Sequence, residues 1–226
     1  MLSTTISSIE KCLGENVHLL PQTNQLRALH TILRDKTTRR ADFVFYAERL
    51  IRLLIEAGLN LLPFEACDVQ TPVGRTYRGV RFSSNLCGVS VVRAGESIEG
   101  VLRDVCRSIR IGKILIQRDR TTKLPRLYYA SLPNDIARRH VLLLEPMLAT
   151  SGSALAAIQV LLGKSVAEEN IILLNVLTVP EGLSVVCQRH PKVKIVTTAI
   201  DERLNEDAYM MPGIGDFGDR FFGTDQ

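Results

Sequence analysis

The chain has 226 residues and a formal net charge of +4, with 46% hydrophobic, 23% charged and 5% aromatic residues and no tryptophan. That length can bury a full core without staples, and the composition is ordinary for a soluble globular protein. It excludes a membrane span, because the best apolar run, LIRLLIEAGLNLLPF, is broken by Arg52 and Glu56 before the roughly 18 residues a span requires, and it excludes a nucleic-acid platform, because no dense Lys/Arg stripe is interleaved with aromatics.

The opening MLSTTISSIEKCLG has no basic start followed by an apolar block, so no signal peptide is expected. Glu10 and the lack of any Arg before Arg27 argue against a transit peptide. The five cysteines (12, 67, 87, 106 and 187) are scattered and none forms C-x-x-C. Neither a disulfide frame nor a zinc site is indicated, and a reducing, cytoplasmic compartment is expected.

Residues 22 to 62 read as two helices with apolar residues at three-to-four spacing, the second stopped by Pro63. From 68 to 82, Pro72, Gly74 and Gly79 suggest an irregular stretch or a hairpin. The pattern then changes. LCGVSVV reads as a buried strand, GESIEGVLRDVCRSI as a helix and KILIQ as a strand. RLYYASLP is a strand in an excursion, with Tyr128 and Tyr129 as strand residues. HVLLLEP, NIILLNVLTV and KVKIVTTAI read as strands, separated by the helices SALAAIQVLLG and PEGLSVVCQRH. Apolar strands that alternate with helices predict a parallel sheet covered on both faces. Ligands of such sheets bind beyond the carboxyl ends of the strands.

Four strand ends are chemically loaded. Arg93 follows GVSVV, Arg118 and Arg120 follow KILIQ, PMLATSGS follows VLLLE, and DERLNEDAYMMPGIGDFGD follows the last strand. Together they suit a substrate with more than one phosphate. In EPMLATSGSA, the small residues from Ala149 to Ser153 let backbone N–H groups face an oxyanion. The hydroxyls of Thr150, Ser151 and Ser153 add donors, and the helix start adds about 0.3 to 2 kcal/mol. The plainer reading is an N-capped βα turn. The GKS at 163–165 is no Walker loop, since Ile158 stands where Gly is needed; Gly163 sits near a helix C-terminus.

Gly213, Gly215 and Gly218 spell the dinucleotide fingerprint G-x-G-x-x-G, but only eight residues follow. No helix and no acidic partner fit there, so a dinucleotide site is rejected. A surface turn remains, or a loop that lays main chain against a ligand, stiffened by Pro212 and Gly223.

In this order, VVRAG, the RD after KILIQ, EPMLATSGSA and MPGIGDFGDRFFGT closely resemble the uracil phosphoribosyltransferase family, most of all its versions from unicellular eukaryotes. The resemblance runs from QLRALHTILRDK to FFGT. It implies one α/β domain over 1–226, with a parallel-sheet, Rossmann-like phosphoribosyltransferase core at 68–200. N-terminal helices (1–67) and a C-terminal base-binding loop or hood (201–226) complete it. It implies transfer of phosphoribose from 5-phosphoribosyl 1-pyrophosphate to uracil N1, with Mg²⁺ carried mainly by the pyrophosphate. Positioning and charge stabilisation then do the catalysis.

Carried over residue by residue, the resemblance places Arg93 and Arg118 on the pyrophosphate, where an Arg fork suits paired oxygens. Glu145, Pro146, Met147, Leu148, Ala149, Thr150, Ser151, Gly152 and Ser153 are to hold the ribose hydroxyls and 5-phosphate. Asp216 is to lie where ribose meets base, and Asp216 and Arg118 are the catalytic candidates. Met210, Gly215, Asp216 and Phe217 are to form the uracil pocket, several through main-chain atoms. A backbone N–H cannot turn acceptor, so such a pocket can reject cytosine by about 10⁴ to 10⁵.

Three positions depart from the family pattern. Glu145 stands for Asp, Ser151 for Gly or Ala, and Arg120 for an acid. They keep open a second reading, a non-catalytic relative that binds phosphoribosyl pyrophosphate or a nucleotide as a sensor or partner. Asp201 and Asn205 are read either as orienting the C-terminal loop or as a plain turn. Arg27 and Arg34 lie where a GTP activator would bind in activated relatives, but Pro21 stands where a basic residue is expected. A homodimer or homotetramer is expected, with the apolar helix 42–57 as one candidate surface.

Overall fold

The computed structural model describes residues 15–118 and 125–224, so Cys12 and Arg120 lie outside the described residues. A short strand β1 (Val17–Leu19) leads into helices α1 (Asn24–Arg34) and α2 (Arg40–Leu59). Thr23 caps α1, its side chain accepting from Leu26 N–H at 3.2 Å. The hairpin β2 (Phe64–Gln70) and β3 (Thr76–Phe82) follows. Then come β4 (Leu86–Val92), α3 (Glu96–Val105), β5 (Arg110–Arg118), β6 (Pro125–Ser131), β7 (His140–Leu144) and β8 (Met147–Leu148). The chain continues through α4 (Gly152–Gly163), β9 (Ile171–Thr178), α5 (Pro180–Arg189) and β10 (Lys194–Ile200). It closes with the small hairpin β11 (Arg203–Leu204) and β12 (Met210–Met211), then α6 (Phe217–Phe222).

The main sheet runs β1-β10-β9-β7-β4-β5-β6, with β8 paired to β9. All of its pairings are parallel except β5–β6, where β6 returns antiparallel along the edge. Neighbouring residues on each strand face opposite layers. Leu142, Leu144, Ile172 and Leu174 join α1, α2 and α3 in one core; Val141, Leu143, Ile171 and Leu173 join α4 and α5 in the other. That double burial is why these strands are apolar throughout.

Three expectations change. Helix α3 ends at Val105 rather than near Ile109, because the chain turns through a left-handed Ser108 (φ 62°) to enter β5. β1 carries no sequence signal, being three residues long. A short helix, α6, forms at Phe217–Phe222 although the sequence pattern fits no helix there; Asp216 caps it and three aromatic rings anchor it.

The topology selects a place for a ligand. From β4 the chain adds β5 on one side, then crosses to add β7, β9 and β10 on the other. The order therefore reverses between β4 and β7. A crevice opens at the carboxyl ends of strands at such a point. There lie Arg93, just past β4, and Glu145–Ser153, just past β7.

Candidate active site

The loop after β7 is held by its scaffold rather than by its own side chains. Asn175, fully buried on β9, donates its amide to the carbonyls of Glu145 and Pro146 at 3.1 Å each. Pro146 O also accepts from Val176 and Leu177 N–H, and Leu148 O accepts from the Thr178 hydroxyl at 3.0 Å. Pro146, Met147 and Leu148 are thus framework, with Leu148 1% exposed. Sequence reasoning missed Asn175, although a lone amide in the apolar run IILLNVLT was the signal.

Beyond them Ser151 takes a left-handed conformation (φ 64°) at the N-cap of α4. A serine there ordinarily caps the helix. Here its hydroxyl donates instead to Gly182 O on α5 at 2.7 Å, and Ser151 makes no cap hydrogen bond to α4. The N–H groups of Gly152, Ser153 and Ala154 therefore have no intrahelical acceptor and sit at the positive end of the helix dipole. Two expected hydroxyl donors are corrected by the same geometry. Ser151 faces Gly182, because its buried side chain (4% exposed) needs a partner inside, and Ser153 hydrogen-bonds the Glu145 carboxyl. Thr150 remains exposed.

Gly182 also explains why the loop is so close to α5. A Cβ on it would lie 2.4 Å from Ala149 O and 2.5 Å from Leu148 O. Only a glycine lets the helix reach the loop's main chain.

Glu145 is 6% exposed, and burial pushes its carboxyl up to about 8, with Ser153 pulling the other way. His30, equally buried, is pushed down to about 4 by burial and by nearby Arg34, against Asp201. Its Nε2 lies 2.9 Å from the Thr198 hydroxyl, which itself donates to Val176 O. Nε2 therefore carries the proton, and Nδ1 is a buried acceptor with no partner among the described residues.

These two groups set opposite pH slopes. As pH falls, unfolded His30 takes its proton near 6.5, before the folded form does. Its contribution is fully present above pH 6.5 and is lost toward pH 4, by up to about 3 kcal/mol. Folded Glu145 instead keeps a proton that the unfolded chain releases near 4.5. Stability therefore falls as pH rises from 4.5 to 8. Thermal unfolding across pH 4 to 8 is expected to show a flatter acid limb in His30→Asn and a flatter alkaline limb in Glu145→Gln. Parallel curves for wild type and both variants would contradict this.

The C-terminal loop is locked by a buried ion pair. Arg34 on α1 donates to both oxygens of Asp201 at 2.7 and 3.0 Å and to Gly213 O at 2.9 Å. Asp201 also accepts from Gly213 N–H at 2.8 Å. Asp201 is 5% exposed and directly orients the loop. Asn205 shapes the β11–β12 turn by accepting from the N–H groups of Asp207 and Tyr209. Arg34 is therefore committed to this loop rather than open to a nucleotide, while Arg27 is exposed on α1. Arg220, which carried no sequence signal, donates to the carbonyls of Leu33, Ile214 and Asp35 and stacks 4.3 Å from the Phe43 ring.

The expected base-pocket residues divide. Gly215 (φ 77°) and Asp216 are exposed at the loop's crest, and Asp216 Oδ1 accepts from Asp219 N–H at 2.8 Å. Met210 is buried, and the Phe217 ring is 1% exposed, packed 5.4 Å from Phe43 and 5.8 Å from Phe221. The ring of Phe217 cannot line a pocket, because the core has claimed it. Its main-chain N–H, in the first turn of α6, can still serve. Arg93 is half-exposed and reaches this segment. Arg118 ends β5, on the same edge of the sheet as Arg93. Among the described residues, no three His, Cys, Asp or Glu side chains gather where they could hold a metal ion.

The family model for uracil phosphoribosyltransferase matches residues 20–224. The chain is 56% identical over 211 residues to the uracil phosphoribosyltransferase of Dictyostelium discoideum, covering 93% of this chain and 98% of that one. It is 55% identical to uracil phosphoribosyltransferase 1 of Schizosaccharomyces pombe, covering 92% and 95%. The solved AQ2163 protein from Aquifex aeolicus superposes with a TM-score of 0.79 at 26% identity, over 91% of this chain and 97% of that one. By the match of the family model across residues 20–224 and this identity over nearly the whole length of its relatives, the chain belongs to the uracil phosphoribosyltransferase family.

Proposed function

We propose that the protein transfers phosphoribose from 5-phosphoribosyl 1-pyrophosphate to uracil, giving UMP and pyrophosphate, as a step of pyrimidine salvage. The observation that carries this reading is the first turn of α4, which the Ser151 side chain does not cap, at the crevice between β4 and β7. Its N–H groups, without intrahelical acceptors, suit the 5-phosphate. Held neutral by burial, the Glu145 carboxyl can both accept from and donate to ribose hydroxyls. Arg93 and Arg118 take the pyrophosphate. The crest at Gly215–Phe217 offers main-chain atoms and Asp216 to the base. In the reaction the C1–N1 bond forms as the C1–O bond to pyrophosphate breaks, and uracil loses its N1 proton.

Mg²⁺ fits as an ion carried on the pyrophosphate, whose charge it neutralises, since such an ion keeps its waters and binds mainly substrate phosphates. UMP formation from labelled uracil, phosphoribosyl pyrophosphate and Mg²⁺ tests the reading. A folded protein that binds phosphoribosyl pyrophosphate but makes no UMP would instead favour the sensor alternative. Gly182→Ala is expected to raise the KM for phosphoribosyl pyrophosphate by at least about tenfold, because its Cβ would displace the phosphate loop by roughly an ångström. Steady-state kinetics check this, and a KM within about twofold of wild type would contradict it.

A homodimer or homotetramer also belongs to this reading. Helix α2 spends Phe43, Ala47, Leu50, Ile51, Leu54 and Ile55 on its own core and leaves Phe45 and Leu53 exposed on its other face. Apolar side chains also stand exposed on the β2–β3 hairpin, among them Val73 and Val80, and at Tyr128 and Tyr129 on β6. Sedimentation equilibrium tests the state. GTP activation, with exposed Arg27 as the available cation, is tested by UMP formation with and without GTP. A cytoplasmic location is supported by the free state of Cys67, Cys87, Cys106 and Cys187, the four cysteines among the described residues.

A further inference from the structure

The segment after the base loop does something its sequence does not advertise. Arg93 Nη2 donates to Asp219 Oδ1 at 2.6 Å, and Nη1 donates to the Thr224 hydroxyl at 2.5 Å. The Thr224 hydroxyl in turn donates to the same Asp219 oxygen at 2.6 Å, closing a ring of three side chains. The backbone around the ring is equally fixed. Asp219 O accepts from the N–H groups of Gly223 and Thr224, and Asp219 N–H donates to Asp216. A Cβ on Gly218 would lie 3.3 Å from Arg93 Nη2, so the guanidinium lies against the first turn of α6.

Stability does not account for this arrangement. The side chains of Arg93 and Asp219 are 44% and 36% exposed, and exposed ion pairs contribute little to folding. Aim does account for it. A free arginine at a strand end samples many rotamers, whereas this one is gripped at both terminal nitrogens. Each terminal nitrogen keeps a second N–H beyond the one these bonds use, a donor that a substrate oxygen can take. The thiol-free, hydroxyl-and-carboxylate grip also ties the loop that meets pyrophosphate to the loop that meets the base. Bonds from Thr224 and Arg93 hold the Asp219 carboxyl below the ordinary carboxylate range, so it stays ionised.

We infer that Asp219 and Thr224 are positioning residues that orient Arg93 for the pyrophosphate of the incoming substrate, an inference that rests on the function proposed above. Asp219→Ala is expected to raise the KM for phosphoribosyl pyrophosphate about tenfold, with the KM for uracil and the Tm nearly unchanged. Asp219→Asn, which can still accept the bond, is expected to restore most of that loss. Thr224→Ala is expected to give a smaller shift in the same direction. Arg93→Gln separates the two levels. If it raises the KM for phosphoribosyl pyrophosphate while Asp219→Ala does not, the positioning role is overturned and the site stands. If Arg93→Gln changes nothing, the placement of Arg93 in the site falls, and the positioning role with it. A parallel change in Tm and both KM values for Asp219→Ala would show a structural role and also overturn the inference.

Discussion

Asp216→Asn is expected to lower kcat for UMP formation by at least about 100-fold while Tm stays within about 1 °C of wild type. On the proposed function the two effects separate, because Asp216 would add a chemical role to its structural one. Structurally it caps α6, its Oδ1 accepting from Asp219 N–H. Asparagine caps a helix about as well as aspartate, so the helix survives the substitution. Chemically it supplies the negative charge at the exposed crest of the base loop. An oxocarbenium-like ribose gains positive charge as pyrophosphate departs, and a fixed carboxylate stabilises that charge only in the transition state. Asp216→Ala loses cap and charge together, and is expected to cost about a further 1 kcal/mol of stability. Steady-state kinetics with thermal unfolding measure both. Near-normal kcat in Asp216→Asn would remove this residue from the catalytic site.

The largest loss of stability is expected from Arg34→Ala, about 3 to 5 kcal/mol, or a Tm lower by about 10 °C. The reason is what stays behind. Asp201 is 5% exposed and accepts two bonds from Arg34. Without them the carboxylate keeps the Gly213 N–H, and a buried charge cannot regain water. Gly213 then loses its carbonyl's donor as well. That glycine has φ 76°, and any Cβ on it would lie 2.2 Å from Met210 O, so its geometry depends on the clamp around it. A lysine at position 34 is expected to rescue little, because one ammonium cannot make the bidentate fork. The KM for uracil should rise in the same variant, since the clamp sets where Gly215 and Asp216 stand. Thermal unfolding decides the matter: a Tm loss under about 2 °C would show that the pair holds nothing.

Much of the fold was legible because its signals are local and repeated. The apolar strands after Leu86 could only be doubly buried, and the alternation with helices could only give a mainly parallel sheet. The loaded ends at Arg93, Glu145 and Asp216 followed from that, since the carboxyl edge is where such sheets bind. Elements that depend on a distant partner were not legible. β1 exists because β10 offers it an edge, and α6 because Phe43 receives Phe217. Arg220 looks like any charged residue until three carbonyls and a ring surround it.

The amino-acid sequence by itself determined the sheet, the order of its loops and the family, because hydrophobic period and motif order are properties of neighbours along the chain. Tertiary structure alone decided which atoms of those loops are available. Ser151 and Ser153 looked like phosphate donors, and Phe217 like part of the base pocket, through main chain or ring. Folding gave the two hydroxyls to Gly182 and Glu145 and the ring to Phe43 and Phe221. Buried polar groups must find partners and buried rings must find contacts. Those partners come from residues far away in sequence, and what they leave unclaimed, the N–H groups of α4 and the crest of the base loop, is what a substrate can use.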